Sequence, residues 1–232
     1  MAERPLFIPI RSKGSVGVEL SYIEFKWFPG LSVSQKQKSI TSLHESAKDK
    51  GCSNVLEISS KSLDPLGIKL SAFNLMIQTQ KKNKEFSMET AFQSSKVFEH
   101  GGPFIDLLTG TSKQAKQDKR LKESGRLIGF EFFGQLFSLE PRTFFYDWLY
   151  INALHRNVDL SSEVLKFDAF TDIEFNPKKS INCQANSAAL YCSICFNGLI
   201  DKATESKESF LEIIESFNKV HETKSEEQID LF

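Results

Sequence analysis

Apolar and polar residues partly alternate through "GVELSYIEFKWF" (17–28), just after the apolar run "LFIPI" (6–10). That period of two predicts extended chain over residues 5–28, punctuated by Pro29 and Gly30. The period then lengthens. "SVSQKQKSITSLHESAKDKG" predicts a helix over 34–50 stopped by Gly51, and "NVLEIS" (54–59) a short strand. "GIKLSAFNLMIQ" (67–78) reads as another strand. Ser87 is placed to N-cap a helix that ends at His100-Gly101-Gly102-Pro103. A helix is predicted in "KQAKQDKRLKES" (113–124), ended by Gly125, and one in "PRTFFYDWLYINALHRN" (141–157) with Pro141 in its first turn. "SINCQANSAALYCSICFNG" (180–198) reads as a buried helix.

The last 32 residues differ in character. Asp201 to Phe232 holds nine acidic and four basic residues. "SFLEIIESFNKV" forms an amphipathic pattern with Phe210, Ile213, Ile214 and Phe217 on one side, expected to dock on the core, and the tail after Thr223 is expected to fray. The expectation is an α+β, mainly helical single domain over residues 1–200 with a β-containing N-terminal segment, followed by an acidic helix and tail over 201–232.

Composition adds one feature. There are 21 Phe against four Tyr and two Trp, which implies a large apolar core or aromatic pocket walls. A net charge of −1 argues against non-specific nucleic-acid binding, so such a role needs a local patch. No apolar run approaches the ~20 residues of a membrane span, and "MAERPLFIPI" lacks a secretory core, so no membrane contact and a cytoplasmic location are expected. Of Cys52, Cys183, Cys192 and Cys195, only the last two form a C-x-x-C, at helical spacing in an apolar run. They read as reduced core thiols. The four histidines have no ligand spacing, and neither metal nor cofactor is expected.

The candidate chemistry lies in "FSMETAFQSSKVFEHGGPF" (86–104). At about 100° per residue, Gln93 falls about 40° from Glu89 on a helix and Lys96 about 20° to the other side. By spacing alone the trio reads more readily as a solvated face than as a site. Phe92 lies beside it, where it can wall a pocket.

The spacing E-x-x-F-Q-x-x-K, at Glu89, Phe92, Gln93 and Lys96, resembles the signature of the NADAR superfamily, the NAD- and ADP-ribose-associated proteins. "LSAFN" (70–74) resembles its L-S-N-F segment, with Ala72 in place of Asn, and "SKQAK" its A-K element at Ala115 and Lys116. "TDIEFNPKKSINCQA" stands where the family has D-x-x-W-G…N-x-L-G. Asp172 and Asn182 match; the Trp-Gly and Leu-Gly do not. Over roughly residues 4–200, segments such as "FKWFPGLSVSQKQKSI", "SKVFEHGGPFIDLL" and "FYDWLYINAL" are similar to the NADAR antitoxins partnered with DarT-type DNA ADP-ribosyltransferase toxins. The resemblance implies an N-glycosidase that removes ADP-ribose from guanine bases in DNA, releases ADP-ribose and protects the host from its partner toxin.

Under that reading Glu89 is the candidate acid/base and Lys96 the candidate covalent residue, with charge-only binding by Lys96 as the alternative. Gln93 would orient ribose hydroxyls or the amine, and Asp172 is the reserve carboxylate. Asn74 and Asn182 suit amide hydrogen bonds. Trp148, Trp27 or Phe28 could stack on a base, and Ser60, Lys61 and Ser62 could hold pyrophosphate, although core packing and a self-bonded loop are the commoner fates of such residues. Lys113, Lys116, Lys119, Arg120, Lys122 and Arg126 face only Asp118 and Glu123 in their stretch, a local charge of +4. Lys113, Lys119, Arg120 and Lys122 are the candidate DNA contacts, with Lys116 shared with the ADP-ribose pocket; a solvated helix weighs equally. Three rivals stay open: a non-catalytic ADP-ribose or NAD-binding module, an N-glycosidase of a riboflavin-pathway intermediate, and an antitoxin that only binds its toxin.

Overall fold

The alternating N-terminal segment folds as a hairpin. In the computed structural model, which describes residues 1–79 and 84–216, β1 (Ala2–Pro9) and β2 (Val18–Phe25) pair antiparallel, from Ala2 opposite Phe25 to Pro9 opposite Val18. Phe217 and the tail after Thr223 lie outside the described residues. α1 (Val33–Lys48) is N-capped by Ser32, whose hydroxyl accepts from the Gln35 N–H.

After β3 (Val55–Glu57) the chain departs from the predicted strand. "GIKLSAFNLMIQ" holds the end of α2 (Pro65–Lys69), a turn, and then β4 (Met76–Gln78). Asp64 and Pro65 explain it: the Asp64 carboxylate caps the Leu66 N–H at 2.8 Å and proline occupies the first helical turn. Gly67 lets α2 press onto β3, since a Cβ there would lie 1.9 Å from the Glu57 carbonyl oxygen.

β5 (Glu85–Ser87) pairs with β4 and runs directly into α3 (Met88–Ser94). The helix stops two turns short of the predicted end. The hydroxyls of Ser94 and Ser95 both donate back to the Ala91 carbonyl, at 3.0 and 2.7 Å, and the chain leaves as strand β6 (Lys96–Phe98). Beyond a 3₁₀ turn (Ile105–Thr109), the basic stretch is two short helices rather than one: α4 (Ser112–Gln117) and α5 (Arg120–Glu123). Asp118 separates them with extended backbone (φ −60°, ψ 128°), its carboxylate accepting the Arg120 N–H.

β7 (Leu127–Phe132) and β8 (Gln135–Phe137) complete an antiparallel sheet with β6 that the hydrophobic pattern does not predict. α6 (Phe144–Arg156) begins three residues after Pro141, and α7 (Val158–Val164) follows it. β9 (Ala169–Thr171), α8 (Gln184–Phe196), α9 (Ile200–Glu205) and α10 (207–216) close the described chain. With 43% helix and 19% strand among the described residues, the chain is an α+β domain, mainly helical.

The principal sheet has the order β2-β1-β9-β3, with β9 antiparallel to β1 and parallel to β3. Strand alternation divides the core in two. Leu6, Ile23 and Phe25 pack with Ile40, Leu43 and Ala47 of α1 on one side. Phe7, Leu56 and Phe170 point to the other, where the buried faces of α6 and α8 form the larger core. Phe210 and Ile213 of α10 are buried there too, so the acidic C-terminal helix docks as its apolar stripe predicts. Most phenylalanines serve this core, with the Phe145 ring in contact with those of Phe92, Phe130 and Phe137. Cys52, Cys183 and Cys192 are buried free thiols and Cys195 is partly buried; burial pushes Cys192 up to about 12 and Cys195 to about 11. Among the described residues no helix is long and apolar enough to cross a membrane.

Candidate active site

A cleft of about 370 Å³ opens beyond the carboxyl ends of the parallel strands β3 and β9. Ser59 and Ser60 follow β3 into its wall and Asp172 follows β9. The chain segments that complete it come from far apart: Ser71–Phe73, Glu89, Lys116, Tyr146, and the loop from Glu174 to Gln184.

Glu89 is held from both sides of its backbone. Its N–H donates to the Ala72 carbonyl at 2.8 Å, and the preceding N–H, of Met88, donates to Leu75. The "LSAFN" turn is itself tied down. The Tyr150 hydroxyl donates to the Leu70 carbonyl, and the Ala72 N–H donates to Gln184 Oε1 at 2.7 Å. Ser87 caps α3 by accepting the Thr90 N–H. Glu89, 5% exposed, accepts through its side chain from Gln93 Nε2 at 2.9 Å and faces the Lys116 ammonium at 4.0 Å. Gln93 is also buried, and its Oε1 has no hydrogen-bond partner. Glu89 and Gln93 therefore lie on no solvated face: every residue of α3 is buried.

Lys96 reaches this region by another route than helical phase. It opens β6, paired with Phe130, and Gly102 (φ +86°) passes so close under it that a Cβ would sit 2.2 Å from the Lys96 carbonyl oxygen. Its ammonium lies 5.0 Å from the centre of the Phe92 ring. Burial lowers the Lys96 pKa, the nearby Lys116 charge lowers it further, and Glu89 opposes both.

Asp172 belongs to a buried carboxyl pair. Alternation turns Glu57 and Thr171 together toward α1, where the Thr171 hydroxyl donates to Glu57 at 2.7 Å and contacts His44 Nε2 at 2.9 Å. With its proton given to Glu57, Thr171 can only accept there, so His44 holds its proton on Nε2. Burial lowers His44 to about 4, which keeps it neutral. Glu57 also accepts the Ile173 N–H at 2.8 Å. Asp172 accepts the N–H groups of Glu174 and Phe175, yet burial and the Glu57 charge push it up to about 8.

This has a measurable consequence. Between the ordinary carboxylate value of about 3.9 and about 8, folded Asp172 keeps a proton that the unfolded chain has lost. Its contribution to stability therefore falls as pH rises through that window. Asp172→Asn should flatten the decline in unfolding free energy between about pH 5 and 8, read from denaturant titrations of both proteins. His44 acts in the opposite sense below its ordinary value, so the difference between the two proteins, not either curve alone, isolates Asp172.

Of the residues singled out in the sequence, the cleft gathers Glu89, Lys116, Asp172, Asn182 and Ser60. Phe92 instead walls a smaller neighbouring cavity of about 260 Å³, which shares Tyr146 and Asn182 with the cleft. Others lie elsewhere. The Asn74 amide closes its own turn, donating to Ile68 and Ser71. Lys61 is outside the lining, its N–H donating to Ser59, and Ser62 is buried against Asp64 and Gly67. Trp148 packs on Phe137 and Phe132, its indole N–H buried without a partner. Trp27 packs on Phe25 beneath Arg4 and Lys36, and the Phe28 ring carries Lys26. Arg120 is bound bidentately to both Asp106 and Asp118 and covers the Phe104 ring, and Arg126 pairs with Glu99. Lys113, Lys119 and Lys122 are exposed and carry no ion pair among the described residues.

The sequence pattern does not single out Tyr146, Phe73 and Gln184. Tyr146 sits inside an aromatic run that reads as core, and burial raises its phenol well above the ordinary value. Phe73 offers its ring 5.2 Å from the Lys116 ammonium. Gln184, donating to the Ile58 carbonyl and accepting from Ala72, joins β3 to the Glu89 turn.

No curated protein matches the chain. A family model described as DarT1-associated NADAR antitoxin matches residues 2–224. A match of nearly the whole length, with Glu89 of the E-x-x-F-Q-x-x-K signature lining the cleft and Phe92 walling the cavity beside it, leads to one assignment: the chain belongs to the DarT1-associated NADAR antitoxin family.

Proposed function

We propose that this chain removes ADP-ribose from guanine bases in DNA by cleaving the N-glycosidic bond, and so reverses the modification made by its partner toxin. The observation that carries the reading is the buried Glu89 carboxyl on the wall of a nucleotide-sized cleft, braced by Gln93 and facing Lys116. Breaking the bond between ribose C1″ and the base nitrogen leaves its electron pair on nitrogen, which needs a proton, while C1″ passes through an oxocarbenium-like state. Glu89 is placed to give that proton and to take one from the nucleophile that attacks C1″, the Lys96 amine or, if Lys96 only holds the ligand, water. Asp172, protonated at neutral pH by its burial beside Glu57, binds a ribose or phosphate oxygen without adding negative charge to an already anionic ligand. Lys116 and Lys179, both in the lining, supply the cations that a diphosphate requires.

The direct test is an oligonucleotide carrying ADP-ribosylated guanine, with free ADP-ribose as the readout. Release by catalytic amounts of protein supports the reading. Binding of ADP-ribose with no release favours a recognition module, and protection only at stoichiometric ratios to the toxin favours a binding antitoxin.

The exposed lysines Lys113, Lys119 and Lys122 hold the strand in this proposal; Arg120, with its guanidinium committed to two carboxylates, organises the turn between α4 and α5 instead. Removing one lysine–phosphate pairing should flatten the log–log salt dependence by about 0.7 for single strands. Changing the three lysines to glutamine should weaken cleavage of the modified oligonucleotide and reduce its salt sensitivity, while a modified mononucleoside, which has no flanking phosphates, is cleaved as before. An equal response of both substrates would remove the strand-binding role.

A further inference from the structure

We propose that the smaller aromatic cavity beside the cleft is the seat of the leaving guanine, so that the scissile bond lies where the two cavities meet, at Tyr146 and Asn182. The inference deepens the glycohydrolase reading and rests on it.

The two cavities differ in chemistry. The cleft is lined by serines, carboxyls and lysines. The smaller one is walled by Phe92, Phe130, Phe144 and Tyr146, with Phe92 and Phe130 at 5.4 Å and Tyr146 edge-on to Phe92 at 5.0 Å. At about 260 Å³ it falls below the roughly 300–1,000 Å³ of pockets for larger ligands, and fits one flat heterocycle rather than a second nucleotide. An enzyme that works on a base must take it out of the stack, and an aromatic slot with polar groups at its rim is how an extruded base is received.

The rim favours guanine over the adenine that ADP-ribose itself carries. Glu140 and Arg142 stand together at the mouth, their side chains 3.9 Å apart and about three-quarters exposed. Guanine presents O6 and N7 acceptors to an arginine and ring and amino N–H donors to a carboxylate; adenine cannot satisfy that pair in the same orientation. Asn182 adds an amide at the junction. Seated this way, the base nitrogen projects toward the cleft that holds Glu89, and the diphosphate lies among Lys116 and Lys179.

The test uses the full chain and two variants. Leu127→Trp fills the cavity from a partly exposed lining position. The double variant Glu140→Ala/Arg142→Ala removes the rim pair from an exposed loop. Binding of deoxyguanosine, deoxyadenosine and ADP-ribose is measured separately by calorimetry, alongside kcat/KM on the modified oligonucleotide. The expected result is that the wild type binds deoxyguanosine and ADP-ribose together, and Leu127→Trp no longer binds the nucleoside while keeping ADP-ribose. Both variants should lower kcat/KM roughly tenfold or more, as expected when one base is deprived of its stacking or its edge hydrogen bonds. Unchanged kcat/KM in both variants overturns the inference, as does displacement of deoxyguanosine by ADP-ribose or a preference for deoxyadenosine. Retained ADP-ribose binding shows that the variants are folded. If the wild type binds deoxyguanosine in this cavity yet never releases ADP-ribose, the seat stands and the glycohydrolase reading fails.

Discussion

Glu89→Gln should lower ADP-ribose release from modified DNA by roughly 10²- to 10⁴-fold, the usual contribution of a positioned general acid or base. The substitution is close to isosteric in a site that is 5% exposed, so packing should survive. The Gln93 amide can still donate to the new side-chain oxygen as it does to Glu89 Oε1 at 2.9 Å. The charge pair with Lys116 that disappears is long, at 4.0 Å, and its lysine is mostly exposed, so little binding energy goes with it. ADP-ribose affinity should therefore change little while turnover collapses, measured by single-turnover release against equilibrium binding. Full activity in the variant would move the role to Asp172, whose raised pKa then makes a further demand. An acid that loses its proton near pH 8 must give a rate that falls on the alkaline side.

What the sequence makes legible follows from how local each signal is. The extended chain over 5–28, the helix over 34–50 and the docked C-terminal stripe come from short-range periodicity, and they appear as β1 and β2, α1 and α10. The end of α3 is not legible from spacing, because two serine hydroxyls that turn back on Ala91 decide it, and serines read as neutral in a helix. Lys96 therefore comes near Glu89 through a strand pairing with Phe130 rather than by sharing a helical face. β7 pairs with β6, a partner about thirty residues earlier, and β8, three residues long, pairs only with β7, so their own pattern is too short to announce them. Net charge misjudges Arg120 for a related reason: Asp118 is visible beside it, but Asp106 reaches it only in the fold. Trp148 shows the limit of residue type, since an indole suited to stacking on a base is used against Phe137. The cleft residues that match family motifs, Glu89, Lys116, Asp172 and Asn182, come from the first turn of α3, the last turn of α4, the residue after β9 and the loop before α8, and the fold brings them to one cleft.

The second large effect concerns Lys96. Lys96→Met should abolish turnover to at least about 10³-fold below wild type, and borohydride added to the wild-type enzyme during turnover should leave one ADP-ribose covalently on Lys96. The case rests on its environment. Burial and the neighbouring Lys116 charge both favour the neutral amine, and only a neutral amine has the lone pair to attack. Ring opening breaks the bond from C1″ to the ring oxygen, which takes a proton, and leaves C1″ doubly bonded to the guanine nitrogen. The Lys96 amine adds to C1″, the guanine nitrogen leaves with a proton, and an imine joins Lys96 to the opened ribose. Water then releases ADP-ribose, which recloses, and Glu89 moves the protons at each stage. Lys96→Arg separates this path from simple charge binding. It keeps the cation beside Phe92 but has no amine that can form an imine, so it should be as inactive as Lys96→Met. Substantial activity in the arginine variant, or a wild-type enzyme that gives no trapped adduct at high concentration, would leave Lys96 as a charge that holds the ligand, with water attacking C1″ directly.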